Sequence, residues 1–421
     1  MSAQPGLARR LGTGDAVMIG LGSMVGAGIF AAFAPAAAAA GAGLLIGLAI
    51  AAVVAYCNAT SSAQLAAQYP TSGGTYVYGR ERLGQWPGFV AGWGFVIGKT
   101  ASCAAMAMTF AAYAVPGPWQ KPVAVAAVLA LAAINYFGVT RTAAATRVIV
   151  SLVLVVLAVV IVAGLTSGAP ALDGAEGLRV QGGWYGVLQS AGLLFFAFAG
   201  YARIATMGEE VKDPQRTIPR AILAALGLAL VIYVLIAVSV LMTLGGSSVA
   251  ISATPLADVV IARGWAGAEP LVRIGAAAAA LGAPLALVAG VGRTSLAMAR
   301  HQDLPRWLAA VHPRYQVPHR AEITLALVVS AIIVVADLRD AIGFSSFGVL
   351  VYYLIANIAA ATQDAPHRRY AKAWQGLGAI GCVVLAATLP PTSILAGVAV
   401  LAIGVVYRLI RLRVSRPGPL H

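Results

Sequence analysis

Long apolar stretches fill this chain, and short polar connections separate them. A helix needs about 20 mostly apolar residues to cross the hydrocarbon core of a bilayer. The pattern predicts an all-α polytopic membrane protein in which residues 1–421 form a single membrane domain. The predicted spans, about twelve, lie near residues 14–40, 42–68, 84–114, 121–138, 144–166, 184–207, 219–245, 270–298, 321–338, 340–362, 376–390 and 392–410.

The composition agrees with this pattern. Hydrophobic residues make up 60% of the chain and charged residues 10%, whereas about a quarter of a soluble domain is charged. The net charge of +14 does not indicate nucleic acid, because twenty of the lysines and arginines fall in alternate connections on one side and five fall on the other. The positive-inside rule then places the arginine-rich side and both termini in the cytoplasm, which predicts a multi-pass protein of the inner (cytoplasmic) membrane.

Two spans carry a run of small residues where a helix would be interrupted. Span one has glycines at 20, 22, 26 and 28, and close helix packing through small residues is the alternative explanation. Span six, five spans later, carries a similar run within Phe195–Thr206, followed by Arg203. Interrupted helices at matching positions in two halves are typical of transporters built from inverted repeats.

An interrupted helix suits the two ends of an α-amino acid. Unwound backbone inside a membrane must find hydrogen-bond partners, and a polar solute can supply them. The carboxylate can accept from amides at the N-terminus of a half-helix, and the ammonium can donate to carbonyls at a C-terminus.

Four stretches resemble the amino acid–polyamine–organocation superfamily, and in particular its bacterial amino acid permeases. They are residues 20–30, residues 70–78 (PTSGGTYVY), residues 195–219 and residues 293–305. The resemblance implies a LeuT-like 5+5 inverted-repeat core with broken helices 1 and 6. The first repeat would cover about 14–166 and the second about 184–362, with two appended helices at about 376–410.

The resemblance also implies a substrate site. The carboxylate would bind the amides of Ala27 and Gly28, the ammonium would lie near the carbonyls of Met24, Phe196 and Ala199, and Phe196 would cover the substrate. The implied substrate-binding set is Met24, Gly26, Ala27, Gly28, Phe196, Ala197, Ala199 and Gly200.

Charged residues restrict the substrate. All 14 acidic residues lie at span ends or in connections, so a cationic side chain would have no counter-charge at membrane depth. Neutral amino acids are favoured, and an acidic amino acid or other anionic solute that uses Lys99 is the alternative. Lys99 in span three is predicted to bind substrate charge or to exchange a proton, or else to be a packed lysine that donates to carbonyls.

Arg203 is a candidate gate residue, with a structural bond to helix-end carbonyls as the alternative. Relatives often have an acidic residue at the position of Ala202, so this sequence departs from them there. The link from span six to span seven carries Glu209 and Glu210, which suggests either a solvated loop or a salt bridge at an inner gate.

The coupling ion is left open. Proton-coupled relatives often place a lysine where this chain has Val153. Sodium coupling is disfavoured because residues 271–292 of span eight contain no Ser, Thr, Asp or Glu. Proton coupling through Lys99 or another group, exchange and facilitated diffusion all stay open.

Other function classes find little support. No metal cluster or catalytic motif is found, so neither a cofactor nor a metal is predicted and a membrane-embedded enzyme is disfavoured. A repeated pore-lining motif, which a channel would need, is also missing. The basic residues Arg411, Arg413 and Arg416 near the C-terminus indicate contacts with anionic membrane lipids.

Overall fold

The computed structural model describes residues 11–70, 73–138, 143–166, 179–207 and 210–414. Apart from two isolated bridges, these residues form helices and connections without strands. The α-helices are α1 Thr13–Met24, α2 Ala27–Ala31, α3 Phe33–Ala40, α4 Leu44–Gln68, α5 Gly74–Leu83, α6 Gln85–Ala114, α7 Gln120–Tyr136, α8 Ala143–Thr166, α9 Gly183–Phe198, α10 Ala202–Ala205, α11 Pro214–Leu244, α12 Gly246–Ile251, α13 Pro255–Ala262, α14 Glu269–Arg300, α15 His319–Val335, α16 Leu338–Ala361, α17 Lys372–Ala387 and α18 Pro391–Val414.

Ten helical segments of the described chain are long and apolar enough to cross a membrane. They coincide with ten of the predicted spans, so the prediction of an all-α polytopic membrane protein is confirmed. At the predicted spans nine and eleven, α15 has 17 residues and α17 has 16, which is shorter than the usual spanning length. The count of twelve spans and the inverted repeat therefore stay predictions.

The outer faces of the bundle are apolar. On α8, Val148, Val155 and Val162 repeat every seven residues along one face and are 69%, 56% and 45% exposed. Exposed valines at this spacing suit a helix that faces lipid chains. Inside the bundle, α6 packs against α14 and α16, and α4 packs against α9 and α11.

Several residues used in the sequence predictions lie outside the described part of the chain. They are Arg9, Arg10, Arg141 and Arg416 of the basic residues, Asp173 and Glu176 of the acidic residues, and Glu209 of the predicted gate.

Candidate functional site

The first predicted interruption is present between α1 and α2. Gly26 has φ −67° and ψ −144°, which is far from the helical ψ of about −42°. The helix therefore restarts at Ala27, where its first amides have no carbonyl one turn earlier. In the described chain, the buried amides of Ala27 and Gly28 donate no hydrogen bond.

The second interruption is milder than the sequence suggests. After α9, residues Ala199–Tyr201 form one turn of 3₁₀-helix, and α10 continues from it. Ala199 has φ −65° and ψ 0°, so the backbone tightens without unwinding.

Glycine lets the two interrupted segments touch. A Cβ added to Gly28 would lie 2.7 Å from the Cα of Ala197, and one added to Gly200 would lie 2.6 Å from the amide nitrogen of Met24. Both distances are too short for a real side chain, so the crossing requires glycine at both positions. The structure thus brings the two groups of predicted site residues together.

Protein donors already reach the three carbonyls predicted for the substrate ammonium. The Tyr233 hydroxyl oxygen lies 2.6 Å from the carbonyl oxygen of Met24 and 2.9 Å from that of Ala197. The Ala199 amide donates to the Phe196 carbonyl, and the Lys99 ammonium donates to the Ala199 carbonyl at 3.2 Å. A carbonyl oxygen has two lone pairs, so one such donor does not by itself prevent the carbonyl from accepting another.

Tyr233 is a residue that the sequence analysis missed. It lies in the middle of α11 and is 1% exposed. Its single hydroxyl proton can serve only one acceptor fully at a time, so Tyr233 links the ends of α1 and α9. The sequence does give one indication of this role, since Tyr233 is a lone tyrosine in an otherwise aliphatic span.

A cavity of about 510 Å³ lies beside the crossing. Of the predicted residues, Phe196, Ala199, Gly200, Lys99 and Arg203 line it. The others, Met24, Gly26, Ala27, Gly28 and Ala197, are not among its lining residues.

Lys99 is a buried cation in the cavity wall. Its side chain comes from the middle of α6 and is 7% exposed. Within the described residues, no carboxylate lies within ion-pair distance of it. Its bond to Ala199 uses one of three N–H donors, so the ammonium can bind a further acceptor from the cavity.

The cavity wall has more positive than negative charge. Arg203, Arg293 and Glu210 line it together with Lys99. Arg203 Nη2 lies 3.7 Å from Glu210 Oε1, and Arg203 Nη1 donates to the Thr206 hydroxyl at 3.2 Å. Glu210 is therefore paired with Arg203, which leaves Lys99 without a balancing acid.

A buried charge cluster holds one wall of the cavity. Tyr76 lines the cavity, and its hydroxyl donates to Asp303 at 2.8 Å. Asp303 also pairs with Arg80 at 2.9 Å and with Arg408 of α18 at 2.5 Å. Burial raises the pKa of the Tyr76 phenol, and the Asp303 carboxylate acts in the same direction, so the phenol keeps its proton and stays a donor.

Val153 occupies a small apolar space next to the first interruption. Only about 10 Å³ is free there, and the lining residues include Gly26, Val150 and Ala283. No lining side chain supplies an oxygen ligand for a cation.

Comparison with known proteins assigns the chain to a class. The family described as amino acid permease matches residues 15–417. A Mycobacterium tuberculosis protein named as an uncharacterized transporter is 60% identical over 95% of this chain and 90% of its own length. The branched-chain amino acid permease BcaP of Bacillus subtilis is 24% identical over 85% of this chain and 82% of its own length. The chloroplastic cationic amino acid transporter 7 of Arabidopsis thaliana is 27% identical over 82% of this chain and 63% of its own length.

Proposed function

Because this chain belongs to the amino acid permease family, we propose that it is a secondary transporter that moves amino acids across the cytoplasmic membrane by alternating access. The observation that carries the proposal is the cavity at the crossing of two interrupted helices, with Lys99 in its wall. The chain acts as a transporter, not as an enzyme, and both termini lie in the cytoplasm.

The packing around the cavity supports alternating access. On one side the cavity reaches Gly73, Arg293 and Ala297, which belong to the arginine-rich, predicted cytoplasmic end. On the other side Phe30 packs against Tyr113 with ring centroids 5.7 Å apart. In this proposal the arrangement is a state open to the cytoplasm, and transport requires a second state in which the Phe30–Tyr113 contact separates.

In the proposed binding mode, the substrate carboxylate takes the free amides of Ala27 and Gly28. Helix N-terminal amides favour an anion. The ammonium lies near the Phe196 and Ala199 carbonyls, and the Phe196 ring covers the substrate. Since Gly28 packs directly against Ala197, the crossing must loosen slightly for the carboxylate to enter.

Neutral amino acids are the preferred substrates in this proposal, because cationic side chains would meet Lys99, Arg203 and Arg293 with only Glu210 to oppose them. Desolvating a charge beside like charges is costly. The same three cations favour a second candidate substrate class, the acidic amino acids or other anionic solutes, with Lys99 as the binding partner.

Uptake by the purified full-length protein in proteoliposomes tests the transport function. We expect saturable, stereoselective uptake that is inhibited by competing neutral amino acids and is not inhibited by lysine or arginine. Replacing sodium by potassium is expected to leave the rate unchanged, since sodium has no evident site. Linear, unsaturable flux, or uptake that no amino acid inhibits, would rule out the proposal that the protein is an amino acid carrier.

Lys99→Met separates the two substrate classes. Methionine keeps most of the length of the side chain and removes its charge. We expect uptake by the variant to lose its pH dependence, or acidic amino acids to compete with an apparent affinity about tenfold lower. A tenfold change corresponds to about 1.4 kcal/mol.

The matched control is Lys121→Met. Lys121 also donates to a backbone carbonyl, that of Val334 at 2.7 Å, but it lies away from the cavity. If Lys99→Met matches the wild type in both pH dependence and competition, Lys99 has only a structural role.

A further inference from the structure

A second cavity, of about 710 Å³, lies away from the substrate cavity on the outer side of α6. Its walls come from α6, α14, α15, α16 and α18 and are mostly apolar. Two of its lining residues, Val328 and Val335, are 45% and 82% exposed. The cavity is therefore a groove that opens sideways toward the lipid phase.

The groove follows the helix axis. Along α15 it is lined by Ala321, Thr324, Leu325, Val328, Ile332 and Val335, at the spacing of one helical face. From Ala321 to Val335 the rise is about 21 Å at about 1.5 Å per residue. This length exceeds half of the hydrocarbon core, which is about 30 Å thick, so the groove can hold an extended acyl chain from one leaflet.

The two ends of the groove differ in charge. At the predicted cytoplasmic end, Arg306 lies between the lining residues Pro305 and Trp307, and Arg320 directly precedes the lining residue Ala321. Both arginines are exposed, and in the described chain neither side chain forms an ion pair or a hydrogen bond.

The opposite end does not offer a free cation. Asp340 lines the groove there and accepts from the Thr392 hydroxyl at 2.6 Å. The nearby cations are already hydrogen-bonded to neutral acceptors, because Arg339 donates to Gln189 at 2.9 Å and Lys121 donates to the Val334 carbonyl, and the Asp340 carboxylate disfavours an anion there. An anionic head group is therefore favoured at the Arg306 end only.

We propose that this groove binds one anionic phospholipid, with an acyl chain along α15 and the phosphate at Arg306 and Arg320. The cytoplasmic leaflet carries anionic lipids, to which exposed arginines near its surface are attracted. Arginine also matches the geometry of phosphate oxygens. The inference is independent of the transported solute, because no transport-site residue takes part.

Native mass spectrometry of the full-length protein in detergent tests the site, with phosphatidylglycerol and phosphatidylethanolamine as probes. We expect one tightly retained phosphatidylglycerol. Arg306→Gln/Arg320→Gln is expected to weaken its binding at least tenfold and to leave phosphatidylethanolamine unchanged. Val328→Trp, which fills the groove, is expected to reduce the binding of both lipids.

Two control variants make the result specific. Arg220→Gln/Arg300→Gln removes the same charge from exposed positions at the same predicted side, and Leu327→Trp adds the same ring at a position that does not line the groove. If a variant and its control lose lipid binding to the same extent, the proposal is overturned. Unchanged phosphatidylglycerol binding in the Arg306/Arg320 variant would also overturn the proposal. So would a lipid-free dimer that Val328→Trp disrupts, because a second copy of the chain would then occupy the groove.

Discussion

Replacing Gly28 by leucine is expected to reduce amino acid uptake to the level of empty liposomes. The first atom of the new side chain would lie 2.7 Å from the Cα of Ala197, a backbone atom that cannot turn aside. The rest of the side chain would cover the amides of Ala27 and Gly28, which the proposed carboxylate needs. The change therefore removes both the crossing of the helices and the anion site.

Gly227→Leu is the matched control for this prediction. Gly227 is exposed on α11, and an added Cβ meets no atom within 4 Å, so uptake is expected to stay near the wild-type level. Gly28→Ala isolates the crossing, because a methyl group produces the backbone clash without covering the amides. The elution profile of each variant in detergent shows whether it is folded, and wild-type substrate affinity in Gly28→Leu would refute the proposed site.

The sequence predicts the first interruption better than the second, for a physical reason. Gly26 follows glycines at 20 and 22. Because Gly26 has no side chain of its own, its backbone can adopt the non-helical ψ angle without a steric clash. In span six, by contrast, Phe195 and Phe198 are fully buried, and their packing holds the backbone in helical geometry up to Ala199. In a 3₁₀ turn, each backbone carbonyl accepts a hydrogen bond from the amide three residues later. The small residues of span six therefore do not force the helix to unwind.

The partners of the site residues could not be predicted in the same way. Lys99 was recognisable as a charge at membrane depth, but its acceptor, Ala199, lies 100 residues away along the chain. The contact of Tyr233 with the carbonyls of Met24 and Ala197 likewise depends on how three separate helices cross. Hydropathy gives the position of each span, whereas the rotation and crossing of spans are set by packing that one sequence does not display.

The charge cluster shows the same limit at the arginine-rich end. Asp303 belongs to one of the four stretches that resemble the amino acid permeases, yet nothing in the sequence pairs it with Arg408. Three donors meet its carboxylate, one each from Tyr76, Arg80 and Arg408. They join α5 and α18 to the segment that follows α14.

Asp303→Asn is therefore expected to cause a large loss of stability, about 3–5 kcal/mol, which is typical when one partner of a buried ion pair is removed. Asp303 is 3% exposed and Arg408 is 4% exposed, so the variant leaves the guanidinium buried without its counter-charge. Arg408 lies 4.8 Å from the ring centroids of both Trp86 and Phe89, and these contacts offset only part of that cost. Thermal unfolding in detergent, followed by intrinsic fluorescence, measures the change.

Asp364→Asn provides the control with the same chemistry at an ion pair whose carboxylate is exposed. Asp364 lies 3.5 Å from Arg82, and its side chain is 72% exposed, so its loss is expected to change stability by less than about 1 kcal/mol. The double variant Asp303→Asn/Arg408→Met removes the stranded charge and is expected to recover a large part of the loss, because replacing a buried pair costs less than breaking it. Equal unfolding temperatures for Asp303→Asn and Asp364→Asn would show that the Asp303 cluster does not hold α18 in place.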